Sequence, residues 1–236
     1  MTRALKIVAL TGILGAVALL SMGKALSGRP AWLEVANVLD RQSGSCADSP
    51  PLGDQLVLPF KPTDHLTIDL PASIHYQPGG EAQAIVTGDP AILGNVKFEG
   101  DRLTMECNSN SGSSSFQVTI SGPPISNWKL MGSGEMSLSE IDQPKLDVTI
   151  NGSGSVNATG KVEKLALTIA GSGSAQTNGL EAKSAAVKIN GSGDAEIKAS
   201  VDAEVSLNGS GNVRLSGHPT LRKSEINGSG RIKQDD

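Results

Sequence analysis

The triplet Gly-Ser-Gly occurs six times in the second half of the chain, beginning at Gly132, Gly152, Gly171, Gly191, Gly209 and Gly228, at intervals of 20, 19, 20, 18 and 19 residues. The same alternation surrounds each one. Two residues before it stand Leu130, Ile150, Ile169, Ile189, Leu207 and Ile226; four after it stand Met136, Val156, Ala175, Ala195, Val213 and Ile232. Each unit therefore reads as a strand, a tight corner and a second strand. A fixed period near 19 residues means stacked units, none of which buries its apolar row alone. Propeller blades need about 40–45 residues per unit, and the asparagine-and-leucine spelling of leucine-rich repeats is missing. A lap of about 19 residues at about 3.3 Å each gives a perimeter of roughly 63 Å, enough for three short sides. The expected fold is all-β, a parallel β-helix (β-solenoid) with about 19 residues per turn and six stacked turns.

The corner dictates its own residues. A chain that bends at one place on every lap needs glycine where φ is positive or where neighbouring backbones crowd. The structural turn positions are therefore Gly132 and Gly134, Gly152 and Gly154, Gly171 and Gly173, Gly191 and Gly193, Gly209 and Gly211, and Gly228 and Gly230. Stacking puts Ser133, Ser153, Ser172, Ser192, Ser210 and Ser229 in one column. Asn151, Asn190, Asn208 and Asn227 fall in another, interrupted by Met131 and Ala170, where amides hydrogen-bond along the axis as in other side-chain ladders. The Asn-Gly-Ser spellings also match a glycosylation acceptor, but the corner accounts for them.

Ahead of the repeats, runs such as "LTIDL", "SIHY", "AQAIV", "RLTMEC" and "FQVTI" alternate in the same way between Gly, Pro, Asp and Asn. This is a strand-rich lead-in to the repeats. Residues 28–63 read as a linker, with Pro50 and Pro51 opposing regular pairing. Residues 1–27 read as a signal peptide: Arg3 and Lys6, an apolar run at 7–22, then Ala25-Leu26-Ser27 as a cleavage site. The alternative is an uncleaved N-terminal anchor through residues 7–22, and both stay open. Either way the chain is expected to be exported, periplasmic or extracellular, or else held at the inner membrane.

Removal of Arg3, Lys6 and Lys24 takes the formal charge from −4 to −7, which argues against nucleic acid as a partner. Membrane contact is expected only through the N-terminal segment if it is uncleaved. Two cysteines, Cys46 and Cys107, are the disulfide candidates, since paired thiols are the simplest outcome in an oxidising compartment. Aromatics make up only 3% of the chain, so the core must be aliphatic.

No catalytic constellation emerges. Asp194 and Glu196 share one strand face, but Arg214 one lap on makes a salt bridge the simpler reading than a glycosidase carboxylate pair. His65, His75 and His218 lack metal-ligand spacing, and the glycine corners lack the Lys and helix of a phosphate loop. No cofactor and no metal is expected. What remains is a flat polar outer surface.

The repeated spelling Leu-x-Val-x-Ile-Asn-Gly-Ser-Gly-x-Val, clearest at Leu146–Val156, resembles the GIN domain, described as an auto-transporter adhesin head. The lead-in "HLTIDLPASIHYQPGGEAQAIVTGDPAIL" followed by "VKFEGDRLTM" is similar to that domain's opening strand pair, acid-rich turn and closing strand. The likeness runs from about Asp64 to Lys233. It implies a right-handed parallel β-helix, exported and bacterial, with no catalytic residues to carry over. Residues 64–236 are then one GIN-like domain, with regular repeats at 126–236. The expected function is a non-catalytic, adhesin-like surface-binding domain whose partner is a cell-surface glycan or an envelope protein. Two alternatives stand beside it: a polysaccharide-active β-helix enzyme, and a membrane-tethered structural or sensory domain.

Overall fold

The structure is a computed structural model that describes residues 53–106 and 116–235. Cys46, Cys107, the expected leader and most of the expected linker lie outside the described residues. In chain order the elements are β1 (Gln55–Pro59), β2 (His65–Asp69), β3 (Ala72–Thr87), the single helical turn α1 (Pro90–Leu93), β4 (Val96–Glu99), β5 (Arg102–Met105) and β6 (Phe116–Gly122). They continue with β7 (Asn127–Gly132), β8 (Glu135–Gly152), β9 (Ser155–Gly171), β10 (Ser174–Gly191), β11 (Asp194–Gly209), β12 (Asn212–Ser216), β13 (Thr220–Gly228) and β14 (Arg231–Gln234).

The fold is a β-solenoid whose laps pair in parallel. Gly132 lies against Gly152, Gly152 against Gly171, Gly171 against Gly191, Gly191 against Gly209 and Gly209 against Gly228. The corners thus stack in register. They bound about five turns rather than six, because six corners enclose five intervals. Unequal lap lengths do not disturb the corners. The extra residues are absorbed by register shifts on the side farthest from them, between Leu138 and Ile141 and between Gln176 and Gly179.

The interior is a thin aliphatic column. Val148, Leu167, Val187 and Val205 form one row and Ile150, Ile169, Ile189 and Leu207 the next, all at most 3% exposed. Burying each such side chain contributes about 1.5–3 kcal/mol. Among the described residues one polar side chain joins this interior: Thr177 is fully buried, and its Oγ1 donates to Glu196 O of the next lap at 3.1 Å.

The lead-in is itself a lap, placed out of sequence order. β2 stacks on β7 (Leu66 against Trp128, Ile68 against Leu130) and the start of β3 stacks on β8 (Ile74 against Met136). Leu70-Pro71 occupies the place of the glycine corner. On the other side of that lap come β5, paired with β2, and β6, paired with Ala72–Gln77 of β3. β3 then turns at Gly79 and Gly80, and its second half runs against β6. The scarce aromatics gather at this end: Tyr76 and Trp128 lie 4.7 Å apart and Phe60 and Phe98 5.2 Å apart, with Phe116 buried beside them.

β1 corrects the linker reading. Gln55–Pro59 pairs antiparallel with the second half of β3, and Leu56 and Leu58 pack on the core. Two alternating leucines are enough to make an edge strand. Pro59 is tolerated because it ends that strand at the sheet edge.

Candidate functional site

Three positions per repeat build the outer surface. At the corner, the serine of each Gly-Ser-Gly is exposed on every lap. Each corner also continues the ladder, with Ser172 N donating to Gly152 O, Ser192 N to Gly171 O and Ser210 N to Gly191 O, all at 3.0 Å. The two glycines of a corner are required for different reasons. The first has positive φ, +131° at Gly152 and +137° at Gly191, and faces the carbonyl of the lap beneath. The second has ordinary φ but no room: a Cβ on Gly173 would lie 2.6 Å from Gly154 O. Before the corner, Asn227 Nδ2 donates to Asn208 Oδ1 at 2.9 Å and Asn208 Nδ2 to Asn190 Oδ1 at 3.1 Å. Ala170 breaks that ladder, and Asn151 turns to Met131 Sδ instead.

After the corner, the outer positions carry ion pairs between laps. Arg214 holds Glu196 at 2.5 Å, and Asp194 Oδ1 accepts from Asn212 N at 2.8 Å and Asn212 Nδ2 at 2.9 Å. Both carboxylates are committed to neighbours on the next lap, and with Arg231 and Lys233 they line a shallow groove of about 340 Å³. Lys183–Glu163 and Lys198–Glu181 bridge other laps. Lys183 pulls the Glu163 carboxyl below its usual range, and Lys233 does the same to Asp235. Exposed pairs like these contribute little to stability.

A second concave stretch of the outer face lies before the corner, across β2, β7, β8 and β9. It is a groove of about 370 Å³ whose lining includes His65, Asp101, Asn127, Lys129, Asp147, Thr149, Ala166 and Thr168. The register explains its shape. Asn127, Asp147 and Ala166 form one outward column, and Lys129, Thr149 and Thr168 the next. The step from Asp147 to Ala166 removes side-chain bulk and leaves a hollow. Asp147 Oδ2 pairs with Lys145 at 2.6 Å, but its Oδ1 is buried with no hydrogen-bond partner among the described residues. A buried unmet acceptor costs about 1–3 kcal/mol. At the rim, His65 Nδ1 lies 2.5 Å from Asp64 Oδ1.

This groove was not picked out from the sequence. Its signal was present in the outward positions of the pre-corner strands, where an acid is followed one lap later by alanine. Among the described residues no three His, Cys, Asp or Glu side chains are placed to hold a metal, and no helix is long and apolar enough to cross a membrane.

The family model described as "Putative auto-transporter adhesin, head GIN domain" matches residues 64–219. No curated protein matches the chain. Among solved structures, one described as a putative adhesin from Bacteroides fragilis NCTC 9343 is 19% identical, with a TM-score of 0.60 over 78% of this chain and 99% of that one. That likeness speaks for the fold. A putative adhesin from Parabacteroides merdae ATCC 43184 is 18% identical over 77% of this chain and 95% of its own, with a TM-score of 0.46. A putative lipid binding protein from Parabacteroides distasonis ATCC 8503 is 18% identical over 77% and 96%, with a TM-score of 0.48. With the lead-in lap and most of the repeats inside the matched residues, the chain belongs to the family of auto-transporter adhesin head GIN domains.

Proposed function

We propose that the chain is a non-catalytic, exported β-solenoid that binds a hydroxyl-rich cell-surface polymer, as an adhesin-like domain would, through the groove beside Asp147. One observation carries this reading: Asp147 Oδ1 is a buried acceptor left unmet, on a carboxylate that lines the groove together with Asn127, Thr149 and Thr168. Once the Asp147 carboxylate turns outward a sugar hydroxyl donates one bond to it, and Thr149, Thr168 and Asn127 add others. Such contacts are individually weak, so affinity depends on a polymer that engages several at once. The family's description and that of the Bacteroides fragilis structure support the adhesin-like part of the reading. Residues 1–27 serve as leader or anchor in this proposal, and Cys46 and Cys107 pair.

A glycan array probed with the purified protein tests it. Binding is expected for surface polysaccharides, and Asp147→Ala should abolish it while leaving the unfolding midpoint unchanged or raised. Release of reducing ends from any bound polysaccharide would overturn the non-catalytic reading. Binding that survives Asp147→Ala would overturn the assignment of the groove.

A further inference from the structure

Asn-Gly pairs occur at Asn151, Asn178, Asn190, Asn208 and Asn227. All but Asn178 belong to corners. The difference matters because asparagine is thermolabile, and most of all ahead of glycine. With no Cβ on the following residue, its backbone nitrogen swings easily against the side-chain amide carbon, provided the local backbone is free to rotate. The corners deny that rotation. Asn151, Asn190 and Asn208, and the glycines that follow them, are in register with the laps on both sides. Their side chains are held too, Asn151 by Met131 Sδ and Asn190, Asn208 and Asn227 by one another. Asn227 is paired on one side only, with β11. Asn178 lies on the flank farthest from the corners, where neither neighbouring lap meets it. On β9 the register jumps from Gln176–Asn157 to Gly179–Thr159, and on β11 from Thr177–Ile197 to Glu181–Lys198. Asn178 and Gly179 are both exposed, the one point in β10 where two exposed residues follow each other. Among the described residues no hydrogen bond restrains the Asn178 side-chain amide.

We propose that Asn178 is a site of spontaneous covalent modification, deamidating in the native protein while the corner asparagines are protected by their ladder. The Gly179 nitrogen attacks Asn178 Cγ. A new carbon–nitrogen bond forms, the bond from Cγ to the side-chain nitrogen breaks, and that nitrogen leaves as ammonia with the proton given up by Gly179. Water then opens the succinimide ring at either carbonyl, leaving aspartate or isoaspartate. Nothing is oxidised or reduced, and water is the only co-reactant. Both products add a negative charge to the flank, and isoaspartate also adds a carbon to the backbone. The register is already interrupted on both sides of Asn178, so the paired residues before and after it keep their partners. At a corner the same insertion would break the ladder that stacks each Gly-Ser-Gly on the next.

Ageing of the native protein in mildly alkaline buffer, followed by peptide mapping and by methylation with an isoaspartyl methyltransferase, tests this. Asn178 should convert first, to both products, and Asn227 second. Asn151, Asn190 and Asn208 should convert at least about tenfold more slowly than Asn178, since each must wait for its ladder to open locally. In denaturant every Asn-Gly pair should convert at a similar rate, which assigns the difference to the fold. Gly179→Ala should slow Asn178 alone, because a methyl group then crowds the attacking nitrogen. The atom nearest that Cβ is Thr159 Cγ2 at 3.0 Å, the end of a side chain. Asn178→Asp, and the aged wild type, should keep the unfolding midpoint of fresh protein. Equal native rates, a corner asparagine that outpaces Asn178, or an intact Asn178 once the denatured chain has converted would overturn the proposal. Aspartate as sole product, or indifference to Gly179→Ala, would overturn the succinimide route. A lowered midpoint would overturn the claim that the neighbouring pairs survive the change.

Discussion

Gly132 and Gly191 hold the same place in the repeat, yet the structure predicts different costs for the same alanine substitution. Both have positive φ, +86° and +137°. At Gly132 an added Cβ meets nothing within 4 Å, because the lap beneath bends at Leu70-Pro71 rather than at a glycine corner. Its cost is the backbone conformation alone, about 1–2 kcal/mol. At Gly191 the conformation is one that only glycine adopts readily, costing about 1–3 kcal/mol. The Cβ there also overlaps Gly171 O, the carbonyl that accepts from Ser192 N at 3.0 Å. Displacing that carbonyl adds about 0.5–1.5 kcal/mol for the hydrogen bond and about 1–3 kcal/mol for overpacking. Gly191→Ala should therefore cost about 2.5–7.5 kcal/mol, at least twice as much as Gly132→Ala. Gly193→Ala falls between: its φ is ordinary, but its Cβ would lie 2.5 Å from Gly173 O and 2.7 Å from Ile169 Cγ2. Denaturant unfolding followed by far-ultraviolet circular dichroism reads all three as midpoint shifts, compared where the slopes agree. Equal shifts at Gly132 and Gly191 would refute the claim that each corner is crowded by the corner beneath it.

Two further outcomes are expected. Tyr76 is the chain's single tyrosine, so its ionisation can be followed directly by tyrosinate absorbance. Burial raises its pKa above the ordinary value of 10.0, and a backbone hydrogen bond at Ile125 only partly offsets this. The unfolded state then loses its proton first as pH rises. Stability is fully present below about pH 10 and falls above it, and Tyr76→Phe should flatten that alkaline slope; an unchanged slope would count against Tyr76 as its source. Separately, if Cys46 and Cys107 pair, intact mass without reductant should be two hydrogens lighter than after reduction, and alkylation before reduction should label neither.

The solenoid was legible because its signal is redundant. Six corners repeat one spelling, and a backbone that stacks in register forces each row of the sequence onto one face. The Glu196–Arg214 pair and the Asn190–Asn208–Asn227 ladder followed from that register alone. The lead-in was legible as strands but not as a lap. Its corner is Leu70-Pro71, without glycine, and its stacking order departs from chain order, which no local pattern encodes. β1 escaped notice because two leucines flanked by prolines resemble a linker until the antiparallel arm of β3 lies alongside. The groove depends on the bulk lost between Asp147 and Ala166, a difference between laps, whereas reading a repeat attends to what laps share.

The bulges far from the corner have a consequence for how such a chain changes over time. Laps of 18, 19 and 20 residues coexist here because one flank takes up the slack, leaving the glycine column untouched. That flank works as an expansion joint. Gain or loss of a codon there shifts a single bulge, whereas the same event near a corner throws a whole lap out of phase with both neighbours. The seam farthest from the glycines is therefore where length variation should accumulate and where a graft of foreign sequence would be absorbed with least disturbance.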